Sequence, residues 1–142
     1  IRKGGQMPDH VNLTPDQIAA GEGLVIRIAE RNSFFAADMM AGLRAQVPRA
    51  DLAAIATPEG VMMALERVPR ARRLVVIANA RLAEIVAAGL ADAVAARGAR
   101  LVVVQGADPD AEVEAAGAIV LPSPFTDDSL AALLADVLRP PT

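Results

Sequence analysis

Three short runs of branched apolar residues, GLVIRIAE (23–30), RLVVIANA (73–80) and RLVVVQG (100–106), recur along the chain with helix-patterned segments between them. Branched side chains favour a pleated backbone. A run without polar alternation suits a strand covered on both faces. Two weaker strand candidates, ADLAAIA (50–56) and AIVLP (118–122), complete the set. After the first strand, Phe35, Met39 and Leu43 recur at four-residue spacing and mark one helical face, with Asn32 or Ser33 as its cap. After the second, Thr57 caps a helix with Pro58 and Glu59 in its first turn. After the third, Leu82, Ile85, Val86, Gly89, Leu90, Ala93 and Val94 form an i, i+3, i+4 stripe that Gly98 ends. DPDAEVEAAG is a short helix stopping at Gly117. Its loop acids are read as solvated. In the last helix Thr126 is the cap, Asp127 and Asp128 suit the positive dipole end, and Leu130, Leu133, Leu134, Val137 and Leu138 form the core stripe. Five strands alternating with five helices over about 115 residues predict an α/β domain whose parallel sheet is covered on both faces.

The domain is expected to span 23–139. Residues 1–22 read as a tail or linker with one short helix, in which Thr14 caps Pro15 and Asp16, and Gly21 and Gly23 stop the turn. A length of 142 residues at 54% hydrophobic is enough for one real core. No apolar run approaches a bilayer-spanning length, and no charged-then-apolar leader is visible.

Chemistry is constrained mainly by what the chain lacks. Without cysteine there are no disulfides, thiolate metal sites or cysteine nucleophiles, which fits a reducing, cytoplasmic setting. The single histidine, His10, sits in the tail with no partner at triad or metal-ligand spacing. Ser33, Ser123 and Ser129 lack a nucleophile-elbow context, and no Gly-rich phosphate loop is present. The chain is therefore expected to be non-enzymatic, with no cofactor and no metal. A net charge of −3 without an evident basic cluster argues against direct nucleic-acid binding, and three aromatics, all Phe, leave no stacking platform. Only Lys3 among 14 basic residues is lysine, and alanine is abundant, an association with GC-rich bacterial coding sequence.

The stretch GAIVLPSPFTDDSLAALL (117–134) resembles the end of a response-regulator receiver domain, where an apolar strand leads through a Lys-Pro-Phe-like turn into the final helix. The resemblance extends element by element over 23–139. It implies the flavodoxin-like, CheY-like (βα)5 three-layer sandwich with strand order 2-1-3-4-5. It also implies five chemical positions. An aspartate ending the third strand accepts a phosphoryl group. Two acids ending the first strand join it in holding Mg²⁺. A lysine pairs with the phosphoryl charge, a hydroxyl ends the fourth strand, and an aromatic near the fifth acts as a switch.

In this sequence those positions fall on Asn79, on Ala29 and Glu30, on Ser123 before Pro124, on Gln105, and on Val120. An amide is a poor nucleophile, and one carboxylate is a weak anchor for a divalent cation. The chain therefore resembles a degenerate receiver, a pseudo-receiver. The Ser123–Pro124 bond is expected to be cis because that position is so in the family. The resemblance further implies a protein-interaction or homodimerisation face on the fourth helix, fifth strand and fifth helix (roughly 109–138), with Asp128, Ala132, Asp136 and Arg139 exposed, in bacterial signal transduction or transcriptional regulation. Two alternatives stay open: a small-molecule sensor using the crevice of Glu30, Asn79, Gln105 and Ser123, and an atypical receiver still serving a phosphorelay.

Overall fold

Side chains alternating between two buried faces along the apolar runs split this chain into layers. The computed structural model describes residues 13–139. Most of the expected tail, His10, Pro140 and Pro141 lie outside the described residues. In order, the elements are α1 (Pro15–Ala19), β1 (Leu24–Ala29), α2 (Ser33–Gln46), β2 (Asp51–Ile55), α3 (Pro58–Ala64) with a 3₁₀ turn Leu65–Arg67, β3 (Arg73–Ala78), α4 (Leu82–Ala87), α5 (Leu90–Ala96), β4 (Arg100–Val104), α6 (Asp110–Ala115), β5 (Ile119–Leu121) and α7 (Asp127–Val137). The five strands form one parallel sheet in the order β2-β1-β3-β4-β5. This is the flavodoxin-like arrangement expected from the sequence.

Alternate side chains on a strand point to opposite faces. Leu24, Ile26, Ile28, Val75, Ile77, Val102 and Val104 therefore pack with Met39, Leu43 and Val47 of the α2 region and with Leu130, Leu133, Leu134 and Val137 of α7. Val25, Ala29, Leu74, Val76, Ala78, Leu101 and Val103 turn the other way, onto α3, α4, α5 and α6 through Val61, Leu65, Ile85, Leu90, Val94 and Val113. The central strand β3 is buried from Leu74 to Ala78. That burial fixes its C-terminal end, and with it Asn79.

The helix starts follow local chemistry. Thr14, Asn32, Thr57 and Thr126 each accept a backbone N–H of the first turn, and Thr14 and Thr126 complete reciprocal capping boxes. At the foot of β1, Gly21 has φ +92°, and a Cβ there would lie 2.8 Å from the Val47 Cβ. Backbone bonds from Arg49 N to the Ala20 carbonyl (2.8 Å) and from Arg73 N to the Gly23 carbonyl (3.1 Å) tie residues 20–23 to the domain. No helix among the described residues is long and apolar enough to cross a membrane.

Three expectations are corrected. Phe35 does not share the buried face of Met39 and Leu43; it is 55% exposed, because the first turn of α2 projects beyond the sheet end. The single stripe from Leu82 to Val94 is two helices, broken where Gly89 adopts φ +78°. The break keeps Ile85, Leu90 and Val94 inward but leaves Val86 outside. The absence of a basic cluster does not survive folding. Arg70, Arg72, Arg73, Arg97, Arg100 and Arg139 come from three separate chain regions to one groove at the N-terminal end of β3 and β4.

Candidate functional site

Asn79 and Glu30 meet because β1 and β3 end in register, Ala29 opposite Ala78. Asn79 N donates to the Ala29 carbonyl at 2.8 Å, and Glu30 N donates to the Ile55 carbonyl at 3.0 Å. These bonds hold the two side chains side by side at the C-terminal edge of the sheet, where open α/β sheets place their ligands. Glu30 is only 9% exposed. Its Oε1 accepts from Asn79 Nδ2 at 2.6 Å, and its Oε2 accepts from Asn32 N at 3.0 Å. Asn32 Oδ1 in turn accepts from Phe34 N (2.9 Å) and Phe35 N (3.1 Å), starting α2. The buried carboxylate is thus paired by hydrogen bonds, as a buried charge must be, and it braces the β1–α2 turn. Ala29, the other half of the position expected to hold paired acids, has its side chain in the core beneath.

The Mg²⁺ that the family resemblance implies does not fit these residues. Such an ion wants several hard, anionic oxygens. Here one carboxylate has both oxygens engaged, and the neighbouring strand end supplies an amide donor in place of an acid. Among the described residues no group of three or more His, Asp or Glu side chains is placed to hold a metal ion.

Gln105 sits apart from that pair. Its Nε2 donates to the Asp110 carboxylate at 3.0 and 3.3 Å, and Ser123 N approaches its Oε1 at 3.5 Å. Asp108 Oδ2 accepts from Leu82 N at 2.7 Å and so anchors the start of α4. The loop acids read as solvated therefore hold the crevice wall, since each finds a donor only after folding. Arg31 and Glu84 form an ion pair across the top of β1 and α4.

The expected single crevice is divided in two. A smaller cleft of about 140 Å³ is lined by Asn79, Arg81, Gln105, Asp108, Asp110 and Val120 among others. Val120, expected at the switch position, is half-buried against the α6 side of the core. A larger cleft of about 270 Å³ is lined by Glu30, Phe35, Met39, Asn79, Ser123 and Phe125 among others. Asp38, exposed on α2, also reaches it. The Ser123–Pro124 peptide is cis, as expected, and presents the exposed Ser123 at the cleft edge. Phe35, Asp38 and Phe125 were missed from the sequence. The Phe35–Met39 spacing on its own implies only a core face, although its first member lies at the helix start and lines the cleft with Glu30 and Asn79.

On the other candidate surface, Asp128, Ala132 and Arg139 are exposed. Asp136 is half-buried, with carboxylate oxygens 3.1 Å from Arg100 and 3.6 Å from Arg139. Between the three-residue edge strand β5 and α7 lies a shallow groove of about 230 Å³ with Ile119, Leu121, Pro122, Ala132 and Leu133 in its walls.

No family model matches the sequence, and no curated protein matches it. Solved structures do resemble it. A protein assigned as a response regulator, from Chloroflexus aurantiacus, has a TM-score of 0.59 at 18% identity, covering 80% of this chain and 96% of its own. The pseudo-receiver domain of the CikA protein has a TM-score of 0.51 at 12% identity, covering 86% of this chain and 99% of its own. An uncharacterized protein from Neptuniibacter caesariensis has a TM-score of 0.66 at 16% identity, covering 83% of this chain and 89% of its own. In fold, this chain is similar to receiver domains.

Proposed function

We propose that this chain is a pseudo-receiver: a non-enzymatic module of a cytoplasmic bacterial signalling or regulatory protein that works through protein contacts and not through phosphoryl transfer. The observation that carries the reading is the Glu30–Asn79 hydrogen bond. In a working receiver those strand ends gather acids around a metal and a nucleophile; here an amide and the remaining acid satisfy one another. Gln105 is likewise engaged with Asp110 and Ser123. The position matched to the phosphoryl-pairing lysine is Ser123, which carries no charge.

The contact surface we assign is the β5–α7 face, and the occupant is a second copy of the chain. The three-residue edge strand, the apolar groove beside it and the exposed Ala132 at its rim support this. Light scattering over a range of concentrations should show a monomer–dimer equilibrium. Ala132→Arg, which places a charge over the groove, should weaken it by about tenfold or more without lowering the melting temperature at concentrations where both proteins are monomeric. A strict monomer at all concentrations, or a dimer indifferent to Ala132→Arg, contradicts the assignment.

A second reading, a small-molecule sensor, is favoured by the 270 Å³ cleft, whose Phe35, Met39 and Phe125 walls surround the Asn79 and Ser123 polar groups. Its mark would be a metabolite that raises the melting temperature saturably.

A further inference from the structure

At the end of the sheet away from Glu30 and Asn79, a groove of about 430 Å³ opens beside the first residues of β3 and β4 and the C-terminus of α7. Arg70, Arg72, Arg73, Arg97, Arg100 and Arg139 line it, and among the described residues no carboxylate does. Its apolar wall is formed by Leu24, Leu74, Val75 and Val137. This is a concentration of positive charge in a chain whose net charge is −3.

Among the described residues, the groove arginines are held in different ways. Asp136 reaches in from α7 to Arg100 and Arg139. Arg97 is fixed by three carbonyls, those of Leu65 (2.9 Å), Val68 (3.0 Å) and Pro69 (3.1 Å). Carbonyls orient a guanidinium but leave its charge unneutralised. Arg73 is less settled still: its Nη2 is buried with no hydrogen-bond partner among the described residues. Burying a donor unpaired is unfavourable, and native structures rarely leave one so. Burial holds the Arg73 guanidinium below its usual range; burial, then the charge of Arg70, does the same for Arg97. An anion seated here would relieve all of these at once.

We propose that this groove binds a small polyanion of the pyrophosphate class, with its oxygens accepting from Arg73 and Arg70 and with Arg97 as a fixed cationic flank. Planar guanidiniums match phosphate and carboxylate oxygens two at a time, and the fixed Arg97 flank beside Arg70 and Arg73 calls for a ligand with more than one negative group. The volume lies in the small-molecule range, roughly 300–1,000 Å³. The concave shape and the overall acidity disfavour duplex nucleic acid, which is held through many phosphates along an extended basic face. No aromatic side chain lines the groove, so recognition is of the phosphates and not of a base.

The test is calorimetric titration and thermal melting with pyrophosphate at constant ionic strength, with citrate as the carboxylate arm. Pyrophosphate should bind saturably and more tightly than citrate. Arg70→Ala should weaken binding about tenfold, the equivalent of one charge-assisted contact. Arg73→Met should do the same, and Arg44→Ala, exposed on α2, should change nothing. Arg70 is exposed, so its variant stays informative if the buried Arg73 variant unfolds. Three outcomes overturn the proposal: no saturable binding, equal weakening by Arg44→Ala, or citrate binding as tightly. None of these bears on the Glu30–Asn79 pair at the opposite sheet end.

Discussion

Asn79→Asp is expected to destabilise the domain by about 2–3 kcal/mol at a pH of about 8, with most of that loss recovered near a pH of about 5. In the wild-type chain Asn79 Nδ2 donates to the buried Glu30 Oε1 at 2.6 Å. The variant replaces that donor with a second acceptor, so two carboxylates face each other at hydrogen-bond distance. Like charges so placed make the pair hold a proton to higher pH than an isolated carboxyl does. The folded variant then binds more protons than its unfolded chain across that window. Stability therefore falls as pH rises through it and returns as pH falls, because a shared proton restores the missing donor. Asn79→Ala separates the two effects: it removes the bond without adding charge, and its cost at a pH of about 8 should be smaller. Urea unfolding of both variants at the two pH values is the measurement. An Asn79→Asp penalty that is the same at both would show that the two side chains do not interact as described.

Ile77→Ala should be the most damaging single truncation in the sheet, at about 3–4 kcal/mol and a melting temperature lower by roughly 10–15 °C. Ile77 is fully buried on the central strand, between Ile28 of β1 and Val102 of β4. It faces the layer built by α2 and α7. Strands on both sides restrict its collapse, so the lost contacts come with a cavity. Ile77→Val removes one methylene and should cost about 1 kcal/mol. Since Ile77 is two residues from Asn79, the larger truncation should also loosen the Glu30–Asn79 contact. A chemical-denaturation midpoint within error of wild type for Ile77→Ala would mean that β3 is not the structural spine of the domain.

What the residues revealed in advance were features set by local chemistry. Branched runs gave the five strands, and Thr14, Asn32, Thr57 and Thr126 marked helix starts that the structure caps as expected. The GAIVLPSPF stretch marks β5 and the start of α7, and its resemblance to the receiver end implies the cis peptide. Features that depend on distant juxtaposition were harder to see. Phe35 obeys the helical spacing of its neighbours, yet the sheet ends before it, so it borders a cleft in place of the core. Gly89 fits an uninterrupted stripe, but its left-handed backbone divides the stripe into two helices, with Ile85 and Leu90 both buried. Gln105 was aligned with the crevice, and its true partner Asp110 lies across a loop whose shape no periodicity encodes. The six groove arginines are spread from 70 to 139, so charge counted along the chain could not reveal their convergence.

The central claim is that the strand ends hold neither a phosphoryl acceptor nor a metal-anchoring set of acids. Intact-mass spectrometry after incubation with acetyl phosphate and Mg²⁺ tests it most directly. The account predicts an unchanged mass for the wild-type chain under conditions that phosphorylate an active receiver run in parallel. A covalent adduct of one phosphoryl group on this domain would contradict it.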